Sequence, residues 1–203
     1  MLLDVPFYAQ EEKTDCGPTT LRMALEFLGE KYSYEHLKSL VQSETSGVTW
    51  TLGLAKASGQ CGFKTEFYTT SLGINVTNFE LDYYQREVGS AASSEDKVRK
   101  MLTESKKVGV VLEERSIALN AILKKLSKDC LAIVLIDWGK IKGVDRYIGH
   151  FVVIVGYDNK NIYVHQPGPI NPTANYAIDK ILFDTARKAK GTDEDIVFIY
   201  RKP

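Results

Sequence analysis

After Asp15-Cys16-Gly17-Pro18, apolar residues recur at Leu21, Ala24, Leu25 and Leu28 and stop at Gly29. This spacing of three and four predicts a helix of about 12 residues, with proline in its first turn and Cys16 at its start. Further helices are predicted from Ser33 to about Gln42, Thr49 to about Gly59, Ser94 to about Lys106, Ser116 to about Lys128 and Asp179 to about Lys188. Each opens on a residue whose side-chain oxygen can accept from unpaired first-turn amides. The second half changes character. β-Branched and aromatic runs at Val108 to Leu112, Leu131 to Ile136, Gly149 to Gly156, Asn161 to Val164 and Asp195 to Tyr200 predict strands. Asp158-Asn159-Lys160 suits a tight hairpin that ties His150 to the segment around Gln166. Helices first and an antiparallel sheet after them predict an α+β layout. With no repeat, low-complexity tract or long linker to mark a boundary, residues 1–203 are expected to form a single domain.

Composition narrows the function. The 26 basic and 26 acidic side chains balance, so nothing favours nucleic acid or another polyanion as partner. The apolar runs are strand-sized, far short of the roughly 20 residues that cross a bilayer, and the charged N-terminal segment does not read as a secretory signal. Cys16, Cys61 and Cys130 are odd in number and far apart, which points to a soluble protein of the reducing cytoplasm without disulfides.

The chemistry concentrates at Cys16. A helix N-terminus presents unpaired N–H groups and a partial positive charge, which should lower the thiol pKa. The Cys16 N–H, with a side-chain amide such as that of Gln10, would serve an oxyanion formed by thiolate attack on a carbonyl. The alternative is a buried Cys16 acting as a small hydrophobe beside a solvated Gln10. A thiolate needs a base, and His36, His150 and His165 are the only histidines. His36 lies on a polar helical face. His150 opens the apolar run Phe151-Val152-Val153-Ile154-Val155, where a rigid strand end can present a ring, and Gly149 would let another backbone approach. The chain distance from Cys16 to His150 falls inside the roughly 130 to 150 residues typical of papain-type enzymes. Gln166, on the following strand and just before Pro167, is the candidate to orient the imidazole, against the alternative of an ordinary turn residue. His165 alternates with it and faces the other side.

Leu3-Asp4-Val5-Pro6-Phe7 with Gln10 and Asp15-Cys16-Gly17 resembles the papain-like cysteine peptidases that process double-glycine leaders, and Gly149-His150-Phe151-Val152-Val153 with Gly156-Tyr157-Asp158 matches their histidine strand. A closer resemblance spans nearly the whole chain. Thr49-Trp50-Thr51, Phe67-Tyr68-Thr69-Thr70-Ser71-Leu72-Gly73, Ala132-Ile133-Val134-Leu135 and Gly191-Thr192-Asp193-Glu194-Asp195-Ile196 look like the guanylyl cyclase domain-containing family of plants and animals. The resemblance implies a papain-like fold with Cys16 and His150 as the reacting pair and Gln10 as oxyanion donor. It places the orienting role on the residue before Pro167, which is Asp in the leader peptidases, Asn in the closer family and Gln166 here.

Three functions stand against one another: a thiol hydrolase (peptidase, amidase or acyl transferase), a guanylyl cyclase, and a catalytically silent papain-fold binding module. A cyclase needs divalent metals held by carboxylates and basic groups on the phosphates. The sequence has no phosphate loop, and Asp193-Glu194-Asp195 reads as a solvated turn or a helix-to-strand connection rather than a cation site. The thiol hydrolase is therefore preferred, with no cofactor and no metal expected, and a peptide or protein substrate as partner. Its specificity would rest on loops around Trp50, Tyr83, Tyr84 and Asp145 to Tyr147, with Trp50 itself reading as core.

Overall fold

In the computed structural model, residues 1–41 and 47–202 are described. Helices α1 (Cys16–Phe27), α2 (Tyr34–Val41) and α3 (Thr51–Gln60) come first, then strand β1 (Lys64–Thr69). A short 3-10 helix (Val76–Glu80), α4 (Asp82–Glu87) and α5 (Ala91–Lys107) lead to β2 (Val111–Glu114) and α6 (Leu119–Lys125). The remainder is β3 (Cys130–Asp137), α7 (Trp138–Lys142), β4 (Gly149–Tyr157), β5 (Asn161–Gln166), β6 (Thr173–Asp179), α8 (Lys180–Arg187) and β7 (Ile196–Tyr200).

Seven strands form one sheet in the order β2-β1-β7-β3-β4-β5-β6, antiparallel except for the β1–β2 pair. Successive side chains of a strand point to opposite faces, and here both faces are buried. Leu131, Ile133, Phe151, Val153, Val197 and Ile199 pack under α1, α2, α3 and α5. Ala132, Val134, Val152, Ile154, Ile196 and Phe198 pack against α6, α7 and α8. This two-sided burial explains why the central strands read as unbroken apolar runs.

The α+β class holds, but the expected arrangement of N-terminal helices on a C-terminal sheet needs correction. Strand β1 comes from the helical half and pairs with β7, and helices cover both faces. Lys64-Thr65-Glu66 hides this strand, because its polar members obscure the alternation. The β6 strand, with its exposed Asn175 and Ala177, is hidden for the same reason. Val108 caps the end of α5 instead of opening a strand, so β2 begins at Val111. Helix α5 starts earlier than expected because Ser90 and Ser93 form a reciprocal capping box. Ser33 and Asp179 do accept from first-turn amides. Trp50 and Ala118 hold the cap positions expected of Thr49 and Ser116. The expected end of the second helix at Gln42 lies outside the described residues. The hairpin at 158–160 forms as expected, with Asp158 Oδ1 accepting from Lys160 N and Asn161 N.

Candidate active site

Cys16 is the first residue of α1, as its sequence position predicts. Asp15 precedes it but does not cap the helix. Its carboxylate accepts from Glu12 N at 3.0 Å and pairs with Lys38 at 3.3 Å, so it does not take the Cys16 and Gly17 amides; Pro18 has none, and Thr19 N donates to Asp15 O. The Cys16 sulfur faces the main-chain N–H groups of Phe151, Gly17 and Cys16 itself. Phe151 follows His150 on β4, so the packing of α1 against β4 brings the thiol and the histidine strand together.

His150 is buried, with its ring 5.2 Å from that of Trp138. Its Nε2 lies 3.3 Å from Gln166 Oε1. Gln166 is 1% exposed, and its Nε2 donates to the carbonyls of Ile170 and Asn171, both at 3.1 Å. Its Oε1 also accepts from Gly168 N. Two carbonyls on one end and an N–H on the other leave the amide a single orientation. The oxygen must therefore face His150, so Nε2 carries the ring proton and Nδ1 keeps its lone pair.

The electrostatics differ from the expectation of a depressed thiol. Desolvation pushes Cys16 up to about 11; the three N–H groups pull against it and the charge of Asp15 adds to it. Burial pushes His150 down to about 4, opposed by the bond to Gln166. Near neutral pH the site holds a neutral thiol and a neutral imidazole. A helix N-terminus contributes only a fraction of a charge, and enclosure outweighs it.

Gln10 reaches the site region through a bond from its backbone N to the carbonyl of Pro167, at 2.8 Å. Its side chain is otherwise committed. Nε2 donates to Glu12 O at 2.7 Å and Lys13 O at 2.9 Å, while the buried Oε1 has no partner among the described residues. Both amide hydrogens expected to serve an oxyanion thus hold the loop before Cys16. His165 faces away from Gln166 as expected: its Nε2 donates to Val5 O and its Nδ1 accepts from Asn175 N. His36 is exposed and stacks on Tyr32.

Other neighbours of the site were not foreseen. A Cβ on Gly149 would come within 3.1 Å of the Tyr147 hydroxyl and 3.3 Å of the Tyr83 hydroxyl, so two phenols, not a backbone, exploit the missing side chain. Burial, and then the charge that an ionised Cys16 would carry, raise the Tyr83 pKa. Tyr84 and Tyr147 both donate to Gly191 O, at 2.6 and 2.7 Å. Trp138 was visible in sequence as an aromatic following a strand, but only the β3–β4 register, which pairs Ile136 with His150, brings it to the ring.

The three acidic residues lie in the connection from α8 to β7, as one of the two expected readings has it, but their side chains are engaged by the protein rather than solvated. Glu194 accepts from Ser116 Oγ at 2.6 Å and pairs with the buried Arg187 at 3.1 Å. Asp193 accepts from Asn75 Nδ2 and Asn78 Nδ2 at 2.7 and 2.8 Å. Asp195 turns inward, where burial first and then the charge of Asp193 raise it to about 7. Positive φ at Asp193 and Glu194 splays the three side chains in different directions.

Comparison with known proteins agrees with the fold. Guanylyl cyclase 1 of Arabidopsis thaliana is 27% identical over 212 residues, covering 97% of this chain and 76% of that protein. Among solved structures, a C39-like peptidase of Bacillus anthracis superposes with a TM-score of 0.60 at 12% identity, covering 99% of this chain and 98% of the other. A double-glycine motif protease from an AMS/PCAT transporter, solved with its leader peptide, gives 0.56 at 16% identity over 98% and 94% of the two chains. The peptidase domain of Streptococcus ComA, a bifunctional ABC transporter of a quorum-sensing pathway, gives 0.55 at 17% over 98% and 99%. These likenesses establish a papain-like C39 peptidase fold. The family model described as guanylylate cyclase matches residues 5–199, and the chain therefore belongs to that family.

Proposed function

We propose that residues 1–203 form one papain-like domain acting as a thiol hydrolase or acyl transferase on peptide or amide bonds. Cys16 is the nucleophile, His150 the base and then the acid, and Gln166 the orienting residue. The observation that carries this reading is the Gln166 clamp, which fixes the proton on Nε2 of His150 and leaves Nδ1 basic at the end of the sheet where Cys16 sits. Both partners are neutral, so the thiol proton moves to Nδ1 as sulfur attacks the carbonyl carbon, in one general-base step. The Cys16 and Gly17 N–H groups, which face the sulfur, turn to the oxyanion that forms beside it. The imidazolium then returns its proton to the leaving amine, and water or an acceptor amine releases the acyl group from sulfur. Gln10 becomes a second oxyanion donor only by releasing Glu12 or Lys13. A peptide substrate is supported by the fold shared with a protease solved on a leader peptide. Among the described residues no helix is long and apolar enough to cross a membrane, and three free thiols suit a reducing cytoplasm.

A silent binding module is the second reading, favoured by the engagement of Gln10 and the high thiol pKa. The cyclase reading rests on the family's name. Against it, the carboxylates of Asp193 and Glu194 are each taken by separate protein partners, the one by Asn75 and Asn78 and the other by Ser116 and Arg187. A peptidyl electrophile directed at acyl-enzyme chemistry, offered to wild type, Cys16→Ser and His150→Ala, tests all three readings. The expected result is a covalent adduct on Cys16, absent in Cys16→Ser and formed about 10²-fold more slowly in His150→Ala. No adduct on Cys16, or equal rates with and without His150, would leave the module. Metal-dependent conversion of GTP to cyclic GMP that survives Cys16→Ser but not replacement of Asp193 and Asp195 would install the cyclase.

A further inference from the structure

The residue before Cys16 is an aspartate, and an aspartate before a helix ordinarily caps it, accepting from the N–H of the second or third helical residue. Here the third is Pro18, which has no N–H, so a capping Asp15 would take the N–H of Gly17. That N–H faces the Cys16 sulfur, together with those of Cys16 and Phe151. The anion first in line for this end of α1 is therefore Asp15 itself. Its charge there would also disfavour a thiolate on the next residue.

Asp15 makes no such cap, because α2 takes its side chain. Leu37 and Val41 are buried one turn apart and dock α2 on the core. Tyr34 and Lys38, also one turn apart, share another face of that helix, and both meet Asp15. Lys38 Nζ lies 3.3 Å from Asp15 Oδ1 and 2.9 Å from Glu12 Oε2, and Glu12 N donates to Asp15 Oδ2 at 3.0 Å. The Tyr34 ring centre lies 5.4 Å from the ammonium, and burial, then the carboxylate of Asp15, push its phenol up to about 12. The Asp15 side chain is 1% exposed, and among the described residues Lys38 is its ion-pair partner. A carboxylate so enclosed depends on its cation.

We propose that Lys38 is a positioning residue for Cys16: it holds the Asp15 carboxylate off the start of α1 and offsets its charge, which keeps the Gly17 N–H for sulfur and for the oxyanion that forms beside it. Lys38 acts through Asp15 and not on the reacting atoms. Its service to the oxyanion rests on the proposed function, whereas its effect on the thiol can be read by alkylation alone, so the two fail separately.

The test is the pH profile of iodoacetamide alkylation at Cys16 in the full chain, over roughly pH 7 to 10, followed by mass spectrometry. The thiolate displaces iodide, and its proton is left to solvent. The other titratable groups around the thiol and Asp15 keep one state over this range. Burial holds His150 neutral, at about 4, and Tyr34 and Tyr83 protonated, while hydrogen bonds to Glu12 and then Tyr34 hold Lys38 charged. Lys38→Met is expected to slow alkylation about fivefold at each pH below the thiol's own pKa, because Asp15 is left uncompensated. Lys38→Gln should do the same, which keeps the test open if Lys38→Met does not fold. Lys38→Arg should restore the wild-type rate, and Lys31→Met, which removes a charge paired with Glu26, should leave it unmoved. In an Asp15→Asn background Lys38→Met should have no effect. A wild-type profile for Lys38→Met, or a loss of the same size with Asp15→Asn, would overturn the proposal. Failure of the proposed function alone would show as no adduct with the peptidyl electrophile while the difference in alkylation remains.

Discussion

Gln166 uses every hydrogen-bonding group it has, donating twice from its amide nitrogen and accepting from Gly168 N and His150 Nε2. Gln166→Ala is therefore expected to slow acylation of Cys16 by about 10²-fold with little change in substrate binding, because the ring loses its fixed tautomer and direction. Separating kcat from KM checks this, since a merely structural lesion would not spare KM. The buried histidines also set a pH window for stability. His150 is held near 4 in the folded chain, and His165 is likewise lowered by burial, against about 6.5 when unfolded. Between those values the unfolded state binds more protons, so their contribution is present above pH 6.5 and is lost as pH falls toward 4. His150 alone accounts for roughly 3 kcal/mol of that loss. Urea unfolding at pH 7 and pH 4.5 should show the drop, and His150→Gln should flatten part of it.

The elements that carry these residues were unequally legible in the sequence. Helix α1 and the β4–β5 hairpin announce themselves, through Leu21, Ala24 and Leu25 on one side and Phe151 to Val155 with Asp158 on the other. The place of Cys16 at a helix start and of His150 and Gln166 on neighbouring strands was therefore legible. The long-range consequences were not legible: that Gln10's amide would turn back on Glu12 and Lys13, that enclosure would outweigh the helix end at Cys16, and that Asp193 to Asp195 would fold inward. Each depends on which surfaces become buried, and local pattern does not encode that. The N-terminal segment that brings Gln10 to the site lies along β4, with Leu3 N donating to Val155 O and Tyr157 N to Met1 O. This approach requires Gly156, where a Cβ would lie 2.4 Å from Met1 O and 2.8 Å from Leu2 Cα. Gly156→Ala is expected to cost about 1–3 kcal/mol and to release the N-terminal segment. Faster amide exchange at Leu3, with exchange in β3 unchanged, would be the signature.

At the scale of the whole molecule, Arg187 joins parts distant in sequence. It is fully buried and reaches Asp184, Glu194 and the carbonyl of Ile117, tying α8 to the turn before β7 and to the approach of α6. Arg187→Ala leaves Asp184 to Lys188 and Glu194 to Ser116, and is expected to destabilise by roughly 1–3 kcal/mol through its lost charge-assisted hydrogen bonds. Arg187→Lys should recover only part of this, for want of the planar fork; denaturant midpoints for the two variants check both. The place of β7 in the sheet has a consequence in time. Its residues 196–200 are inserted between β1 and β3, with hydrogen bonds to both. During synthesis β1 is delivered on the order of ten seconds before its partner. Throughout that interval the facing edges of β1 and β3 have no neighbour across the gap. The sheet closes only once residues 196–200 have left the ribosome and entered that gap.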